Sequence, residues 1–342
     1  MNSHAFLQAC RRAPTPFTPI WLMRQAGRYM AEYRAVREKF GFLELCHHPE
    51  AAAEVTVTAV ERLGVDAAII FADILLVLEP LGVGLEFSVG DGPVLQHRVS
   101  SPEDVARLAA YDVDSALGFV YEAVRRARQG LAGRVPLIGF SGAPFTLASY
   151  LIEGGGSRQY VRTKSFMYEH PAAWNTLLGL LARLINTYLH GQIAAGAEAV
   201  QLFDSWVGCL SPDDYRSLVL PHSRAAMAGL SALAPVIHFG TDTGGLLPLM
   251  REAGGDVIGV DWRVDLDNAW NAIGFDRAIQ GNLDPVALFA SPAQIRRQAA
   301  AILARAARRP GHIFNLGHGI LPQTPVDHVR ALIDAVHELS AP

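Results

Sequence analysis

Two arginines stand close together directly after a short apolar segment near the start of the chain. Residues 21–23 are apolar, and Arg24 and Arg28 follow within the segment 24–28, which also contains Gly27. An arginine presents a planar fork of donors that matches a carboxylate or a phosphate, and a glycine lets the main chain approach a ligand closely. The segment therefore predicts a site for an anionic ligand. The alternative, solvated arginines on a helix surface, is the more common fate of such residues.

Asp73 is the acidic residue with the most apolar surroundings in the sequence. It ends the apolar run of residues 65–73 and is followed by the apolar residues 74–77. Little water is expected around a carboxylate in this position, so it needs ionic or hydrogen-bonded partners. Two interpretations stay open from the residues alone: a catalytic carboxylate, and a structural acid that caps a helix or pairs with an arginine.

Further polar side chains that could contact an anion occur later in the chain. Tyr150 could donate a hydrogen bond from its hydroxyl, although a tyrosine whose hydroxyl is bonded internally is more common. Ser205 stands at the end of another apolar run. His318 lies between Gly317 and Gly319, and we expect the two glycines to leave its ring exposed.

No motif in the sequence indicates a bound metal. The twelve histidines show no H-x-H or H-E-x-x-H spacing, and the three cysteines form no C-x-x-C pair. His238 lies inside an apolar run, where a buried structural histidine is expected. The glycine-rich residues 142–157 lack the spacing of a P-loop or of a dinucleotide-binding motif. We therefore expect neither a metal nor a nucleotide cofactor.

The composition excludes several classes of protein. The chain has 342 residues, of which 50% are hydrophobic and 18% charged, and this predicts a globular enzyme with a large core. A formal net charge of -4 argues against a nucleic-acid-binding protein. No apolar segment is long enough for a membrane span or a signal peptide, and the unpaired cysteine pattern favours a reducing cytoplasm.

Short apolar runs alternate with helical patterns along the whole chain, which is typical of parallel strands joined by helices. We predict a (β/α)8 TIM barrel, ahead of a doubly wound open sheet, as one catalytic domain over residues 1–342. Residues 1–15 are expected to be a flexible N-terminal extension, and residues 82–97 a hairpin insertion. The eight predicted strand runs are 20–25, 65–73, 135–142, 197–205, 234–241, 257–263, 278–284 and 312–319.

The ends of these runs carry polar residues, and in a barrel the active site lies at the carboxyl ends of the strands. We therefore expect the polar strand ends to converge on one mouth. They include Arg24, Asp73, Ser141, Asp204, Ser205, Thr241, Asp261, Asp284 and His318. Helix starts support the frame, because Ser211, Ser291 and Thr324 each precede a proline and are predicted to cap the following helix.

Several of these segments resemble the uroporphyrinogen decarboxylase family. They occur in the family's order and span nearly the whole chain. The segments are residues 23–29 (MRQAGRY), 71–75 (FADIL), 142–146 (GAPFT), 153–157 (EGGGS), 203–205 (FDS), 280–285 (QGNLDP) and 315–319 (NLGHG). The resemblance implies a homodimeric TIM barrel that removes the four acetate carboxyls of uroporphyrinogen III to give coproporphyrinogen III, without metal or organic cofactor.

The resemblance also implies roles for individual residues. Asp73 would face the pyrrole N–H groups at the centre of the macrocycle, and Asp73 and Arg24 are the expected catalytic residues. The expected substrate-binding residues are Arg24, Gln25, Ala26, Gly27, Arg28, Asp73, Tyr150, Ser205 and His318. Some family members have histidine at the position of Trp206, so no role is assigned there. The proton donor stays open, because a guanidinium such as that of Arg24 is a poor acid, and water or the substrate could serve instead.

Two other functions remain as alternatives. A corrinoid-linked methyltransferase of the same barrel superfamily would hold zinc through thiolates, but the His-x-Cys expected near its fifth strand is replaced here by residues 238–240 (HFG). A non-catalytic tetrapyrrole-binding protein would keep the pocket and release no CO2. The presence of Asp73 together with Arg24 and Arg28 favours the enzyme.

Overall fold

The computed structural model describes residues 4–88 and 92–341 of the chain. Within them, seven strands form one curled parallel sheet in chain order, and two further strands form a separate antiparallel pair. The strands are β1 (Ala68–Ile69), β2 (Leu85–Ser88), β3 (Gly92–Leu95), β4 (Leu137–Gly142), β5 (Ala199–Asp204), β6 (Val236–Gly240), β7 (Val257–Gly259), β8 (Ala278–Gln280) and β9 (His312–Ile313).

Helices connect successive strands of the parallel sheet and cover its outer face. The α-helices of the described residues are α1 (Ala5–Cys10), α2 (Ala31–Arg37), α3 (Phe42–His47), α4 (Pro49–Leu63), α5 (Pro102–Arg107), α6 (Val113–Ala116), α7 (Gly118–Leu131), α8 (Pro144–Glu153), α9 (Val161–Glu169), α10 (Pro171–Ala195), α11 (Pro212–Leu218), α12 (Leu220–Met227), α13 (Leu247–Ala253), α14 (Leu266–Ile273), α15 (Pro292–Ala306) and α16 (Val326–Ser340). Short 3-10 helices lie at Leu76–Leu81, Val207–Cys209, Leu230–Ala232 and Pro285–Phe289.

The predicted first strand, residues 20–25, is reduced to a single bridge residue. Ile20 forms a parallel bridge with Phe314, directly after β9, and its carbonyl accepts a hydrogen bond from the Asp66 N–H at 2.8 Å, just before β1. The chain then leaves the extended conformation, because Arg24 adopts a left-handed backbone with a φ of 61°. The other seven predicted runs each contain a strand of the sheet.

The interior of the curled sheet is filled by a compact set of apolar side chains, which come from strands β4 to β9 and from segments next to the sheet. This set contains Trp21, Met23, Ala67, Ile138, Ala199, Ile237, Phe239, Val257, Ala278 and Ile313. Helix α1 packs into the same set through Phe6, Ala9 and Cys10, which are at most 2% exposed. The expected flexibility of residues 1–15 is therefore wrong for residues 5–10, because their apolar side chains are buried in the core.

The antiparallel pair β2–β3 lies over the end of α8. The N–H of Leu95 donates to the carbonyl of Gly154 at 2.9 Å, and the N–H of Val99 donates to the carbonyl of Leu151 at 2.8 Å. The centre of the predicted hairpin, residues 89–91, lies outside the described residues. The alternating apolar pattern of residues 82–97 thus corresponds to two paired strands attached to α8.

Two of the three predicted helix caps are confirmed. The side chain of Ser211 accepts a hydrogen bond from the N–H of Asp214, and that of Ser291 accepts one from the N–H of Gln294. The third is wrong, because α16 begins with Pro325 at the capping position and Thr324 is buried, with a hydroxyl that has no partner among the described residues.

Candidate active site

Gln25 fixes the turn that carries the two arginines. The side chain is only 1% exposed, its Oε1 accepts from the Leu22 N–H at 3.1 Å, and its Nε2 donates to the Ala67 carbonyl at 3.1 Å. The hydroxyl of Tyr29 donates to the Gln25 carbonyl at 2.6 Å. The turn is therefore joined to the β1 end of the sheet through the side chain of Gln25.

Arg24 and Arg28 extend from this turn with exposed side chains, and Ala26 and Gly27 between them are partly exposed. A Cβ atom on Gly27 would lie 3.0 Å from the Arg24 carbonyl oxygen, so the tight turn favours glycine at this position. The predicted anion-binding turn thus presents two guanidinium groups and accessible main chain to the same region.

The arginine turn is held against the segment that follows β9. The N–H of Met23 donates to Asn315 Oδ1 at 3.1 Å, and the Met23 carbonyl accepts from the Ile320 N–H at 2.9 Å. A Cβ atom on Gly319 would lie 2.7 Å from Cγ of Arg24, so the stem of Arg24 passes directly over this glycine. This packing places His318 beside Arg24.

His318 is mostly enclosed, contrary to the expectation that its flanking glycines leave the ring exposed. The glycines allow close packing instead, since a Cβ atom on Gly317 would lie 2.5 Å from the Trp262 nitrogen. Burial lowers the pKa of His318 to about 4, and the nearby charges of Arg24 and Arg263 act in the same direction. The imidazole is therefore neutral at physiological pH and can donate or accept a hydrogen bond.

Asp73 lies beyond the end of β1 with a partly exposed side chain. Its Oδ1 accepts a hydrogen bond from the Leu75 N–H at 2.9 Å, and Oδ2 has no hydrogen-bond partner among the described residues. Burial raises the pKa of Asp73 to about 6, although the Leu75 N–H and the charge of Arg24 lower it. The site therefore contains a poorly hydrated carboxylate with one oxygen available to a ligand.

Tyr150 reaches the same region from α8. Burial raises the pKa of its hydroxyl well above the ordinary range, and the charge of Asp73 raises it further, so Tyr150 stays a hydrogen-bond donor. The ring stacks on Trp206, with 3.8 Å between the ring centroids and an angle of 29° between the planes. Trp206 therefore belongs to the site, although no pattern in the sequence connects it with Tyr150.

The two polar residues at the end of β5 have different surroundings. Ser205 is partly exposed, and its carbonyl accepts a hydrogen bond from the Thr241 hydroxyl. Asp204 is fully buried, with Oδ1 accepting from the Thr146 hydroxyl at 3.1 Å and Oδ2 at 3.8 Å from His238 Nε2. Asp204 thus faces the helical layer, and the expectation that all polar strand ends converge on one mouth is wrong for this residue.

Arg263 is a cation of this region that is not among the predicted site residues. The run of residues 257–263 predicts a strand that includes Arg263, but β7 ends at Gly259, and Arg263 lies in the loop that follows. Its guanidinium carbon is 4.3 Å from the centre of the Trp262 ring, and it forms an ion pair with Asp261. The signal in the sequence was the group of polar residues directly after an apolar run.

A model of a known family matches nearly all of this chain. The model is described as Uroporphyrinogen decarboxylase (URO-D), and it matches residues 1–339. The chain belongs to the uroporphyrinogen decarboxylase family. A uroporphyrinogen decarboxylase from Carboxydothermus hydrogenoformans is 57% identical over 98% of this chain and 96% of its own length. One from Roseiflexus is 52% identical over 100% of both chains.

Solved structures with lower identity share the fold of this family member. A methyltransferase from Methanosarcina mazei superposes with a TM-score of 0.80 at 20% identity, over 98% of this chain and 97% of its own. A B12-independent methionine synthase from Shewanella has a TM-score of 0.57 at 11% identity, over 85% and 88% of the two chains. At these identities the likeness shows only a common TIM-barrel-like fold.

The zinc-dependent alternative is less supported than the uroporphyrinogen decarboxylase assignment. His238 is the histidine of the HFG segment that stands where His-x-Cys is expected. It is fully buried beside Asp204 and lies outside the site. Across residues 4–88 and 92–341, no three side chains of His, Cys, Asp or Glu are grouped to hold a metal ion.

In the same part of the chain, no helix has the length and apolar character needed to cross a membrane.

Proposed function

We propose that Asp73 is the central catalytic group of this uroporphyrinogen decarboxylase and that Arg24 assists it. The reaction removes the four acetate carboxyls of uroporphyrinogen III and gives coproporphyrinogen III. The observation that carries the proposal is the environment of Asp73, a poorly hydrated carboxylate with a free Oδ2 near Arg24 and Tyr150. Such a carboxylate can accept hydrogen bonds from pyrrole N–H groups and stabilise a positive charge that develops between them.

The chemistry requires this negative charge. Loss of CO2 from an acetate arm leaves an electron pair on the adjacent carbon, so the pyrrole ring is first protonated on carbon and becomes a cation that accepts the pair. A second proton then converts the exocyclic methylene to a methyl group, and the ring returns one proton. Each turnover therefore replaces one CO2 by one proton. The cation forms and disappears within this cycle, and Asp73 stabilises it while it exists.

The remaining site residues would bind the rest of the substrate. Arg24 and Arg28 are exposed beside the turn and match the peripheral carboxylates of the macrocycle. Tyr150, Ser205 and His318 would add hydrogen bonds, and the main chain of Ala26 and Gly27 would lie against the ligand. Gln25 would contribute by holding the turn, because both of its side-chain polar atoms bind main-chain groups.

We also infer a closed eight-stranded barrel in one catalytic domain. Ile20 supports closure, since its segment forms hydrogen bonds with the chain next to β1 and with the chain next to β9. A homodimer is the proposed assembly, as the family resemblance implies. A reducing cytoplasm is the proposed location, supported by the three free cysteines.

The test is an anaerobic incubation of the purified protein with enzymatically made uroporphyrinogen III. The products are oxidised, separated and counted by their carboxyl groups. We expect the substrate to be converted stepwise to the four-carboxyl product, with unchanged activity after dialysis against a chelator. Binding without CO2 release would instead identify a tetrapyrrole carrier, and stoichiometric zinc without conversion of uroporphyrinogen would favour the methyltransferase.

A further inference from the structure

Arg263 is positioned by a buried carboxylate in the loop after β7. The side chain of Asp261 is only 1% exposed, and its Oδ2 accepts hydrogen bonds from the Asp242 N–H at 2.8 Å and from the Arg263 guanidinium. Its Oδ1 accepts from the Arg263 main-chain N–H at 3.3 Å. Asn282 also holds the loop, because its Nδ2 donates to the Asp261 carbonyl at 2.9 Å. The base of the Arg263 side chain is therefore fixed by groups from three loops.

The guanidinium of Arg263 keeps free donors at the surface. Its side chain is 47% exposed, and Nη1 is the guanidinium nitrogen that donates to Asp261. An arginine has five N–H donors, so several remain directed to solvent. The face of the guanidinium lies on the Trp262 ring at 4.3 Å, which restricts its rotation before any ligand binds.

The guanidinium of Arg263, whose orientation is restricted before any ligand binds, lies next to residues of the candidate site. The Trp262 main chain contacts Gly317, where an added Cβ atom would come within 2.5 Å of the Trp262 nitrogen. The charges of Arg263 and Arg24 both act on His318. The two arginines thus border the same histidine, one on the turn of residues 24–28 and the other on the loop after β7.

We propose that Arg263, seated on Trp262 and held by Asp261, is a further substrate-binding residue that takes a peripheral carboxylate of the macrocycle. This inference rests on the proposed function, because it assumes a substrate with several carboxylates. Asp261 binds the guanidinium through Nη1, and the edge formed by Nε and Nη2 has no hydrogen-bond partner among the described residues. The free edge of the guanidinium can therefore form a bidentate pair with a ligand carboxylate.

The experiment compares Arg263→Gln and Arg263→Lys with Arg309→Gln as the matched control. Arg309 also lies over an aromatic ring, that of Phe275 at 4.6 Å, and it has no contact with the site residues described above. Steady-state kinetics with uroporphyrinogen at several salt concentrations are measured together with the melting temperature. A peripheral binding residue acts equally on bound substrate and transition state, so KM should change and kcat should not.

We expect Arg263→Gln to raise KM on the order of tenfold with kcat nearly unchanged. We also expect a weaker dependence of its KM on salt, because one cation has been removed. Arg263→Lys keeps the charge and loses the fork, so its KM should rise about threefold. Arg309→Gln should match the wild type in both constants. This pattern supports a carboxylate-binding role.

A lower melting temperature with KM equal to that of the control would show that Arg263 only stabilises the loop, and it would overturn the inference. If the glutamine variant does not fold, the lysine variant decides in the same way, since it keeps a cation next to Asp261. A wild-type protein that releases no CO2 would overturn the proposed function itself. That result is distinguishable, because it is seen before any variant is made.

Discussion

Asp73 and Asp204 both stand at the end of an apolar run, and the structure gives them opposite environments. Asp73 is partly exposed, forms one side-chain hydrogen bond within the part of the chain that the structure describes, and leaves Oδ2 open to a ligand there. Asp204 is fully buried, accepts a hydrogen bond from Thr146, and faces His238 at 3.8 Å, which is too long for a hydrogen bond. The same residue type at the same kind of position is therefore open to a ligand in one case, where we propose a catalytic role, and enclosed by the helical layer in the other.

The difference comes from the direction of the side chain. Successive side chains of a strand point to opposite faces of a sheet. Phe203 packs against Phe239 in the interior of the sheet, with 5.8 Å between the ring centroids, so Asp204 must point outward to the helices. Asp73 lies beyond β1, where the chain has left the strand, and its carboxylate can turn toward the ligand region. Four predictions test this contrast.

The largest expected effect is that of Asp73→Asn on activity. The substitution keeps the size and one acceptor oxygen, but it removes the negative charge and places an amide donor opposite pyrrole N–H donors. Charged hydrogen bonds contribute roughly 1.5 to 3 kcal/mol each, so weakening about two of them should lower kcat/KM by on the order of a hundred- to ten-thousand-fold. Steady-state kinetics check this. Activity within a few-fold of the wild type would make Asp73 a structural acid like Asp204.

The second prediction concerns the pH dependence of kcat/KM. Because the pKa of Asp73 is about 6, the proposed catalytic carboxylate becomes protonated below that pH, and kcat/KM should fall about fivefold between pH 6 and pH 5. His318 has a pKa of about 4 and stays neutral over this range. The profile of Asp73→Asn is the control and should lack the decrease. A decrease of equal size in the variant would assign the titration to another group.

The third prediction concerns folding stability. The pKa of Asp73 is raised from its ordinary value of 3.8 to about 6, so the folded protein holds this proton more firmly than the unfolded chain. The contribution of Asp73 therefore favours folding below about pH 4 and is lost as the pH rises through about 6. The free energy of unfolding of Asp73→Asn, measured relative to that of the wild type, should therefore increase as the pH is raised from 4 to 7, by at most about 3 kcal/mol. Urea unfolding at both pH values measures the gain, and a constant difference would contradict the raised pKa of Asp73.

The smallest effect on catalysis is expected for Asp204→Ala. This change removes the acceptor of the Thr146 hydroxyl and should lower the free energy of unfolding by about 1 to 3 kcal/mol. The folded variant should keep kcat/KM within a few-fold of the wild type. Asp204→Asn retains an acceptor for Thr146 and should lose less stability. A hundredfold loss of activity in a folded Asp204 variant would refute the assignment of this residue to the helical layer.

Much of the fold follows from the sequence because parallel strands buried on both faces form continuous apolar runs. β4 and β5 lie inside predicted runs for this reason. Helix α8 was not predicted, since its buried residues cover almost its whole circumference and its start is occupied by a Gly-Ala-Pro segment that also suits a loop. The predicted strand at residues 20–25 was shortened by the left-handed backbone at Arg24, which no residue type there indicates.

The candidate site was predictable only where chemistry and position coincide in the sequence. Arg24 and Asp73 each follow an apolar run directly, and the structure places their charges close enough to influence each other. The sequence does not predict the positions of Trp206 and Arg263. The stacking of Trp206 on Tyr150 and the proximity of Arg263 to His318 both depend on how distant loops pack. The outward direction of Asp204 follows from the alternation of side chains along β5, because the preceding residue, Phe203, points to the interior of the sheet.

The hydrogen bonds of Met23 with Asn315 and Ile320 connect the site to the order in which the chain is synthesised. A ribosome releases the arginine turn first, while the residues that hold it emerge after some three hundred further amino acids have been added. Until then the turn has no support from the last strand, and nascent or prematurely terminated chains cannot assemble the histidine with the arginines. The complete site can therefore form only late in biosynthesis, after the segment that follows β9 has been made.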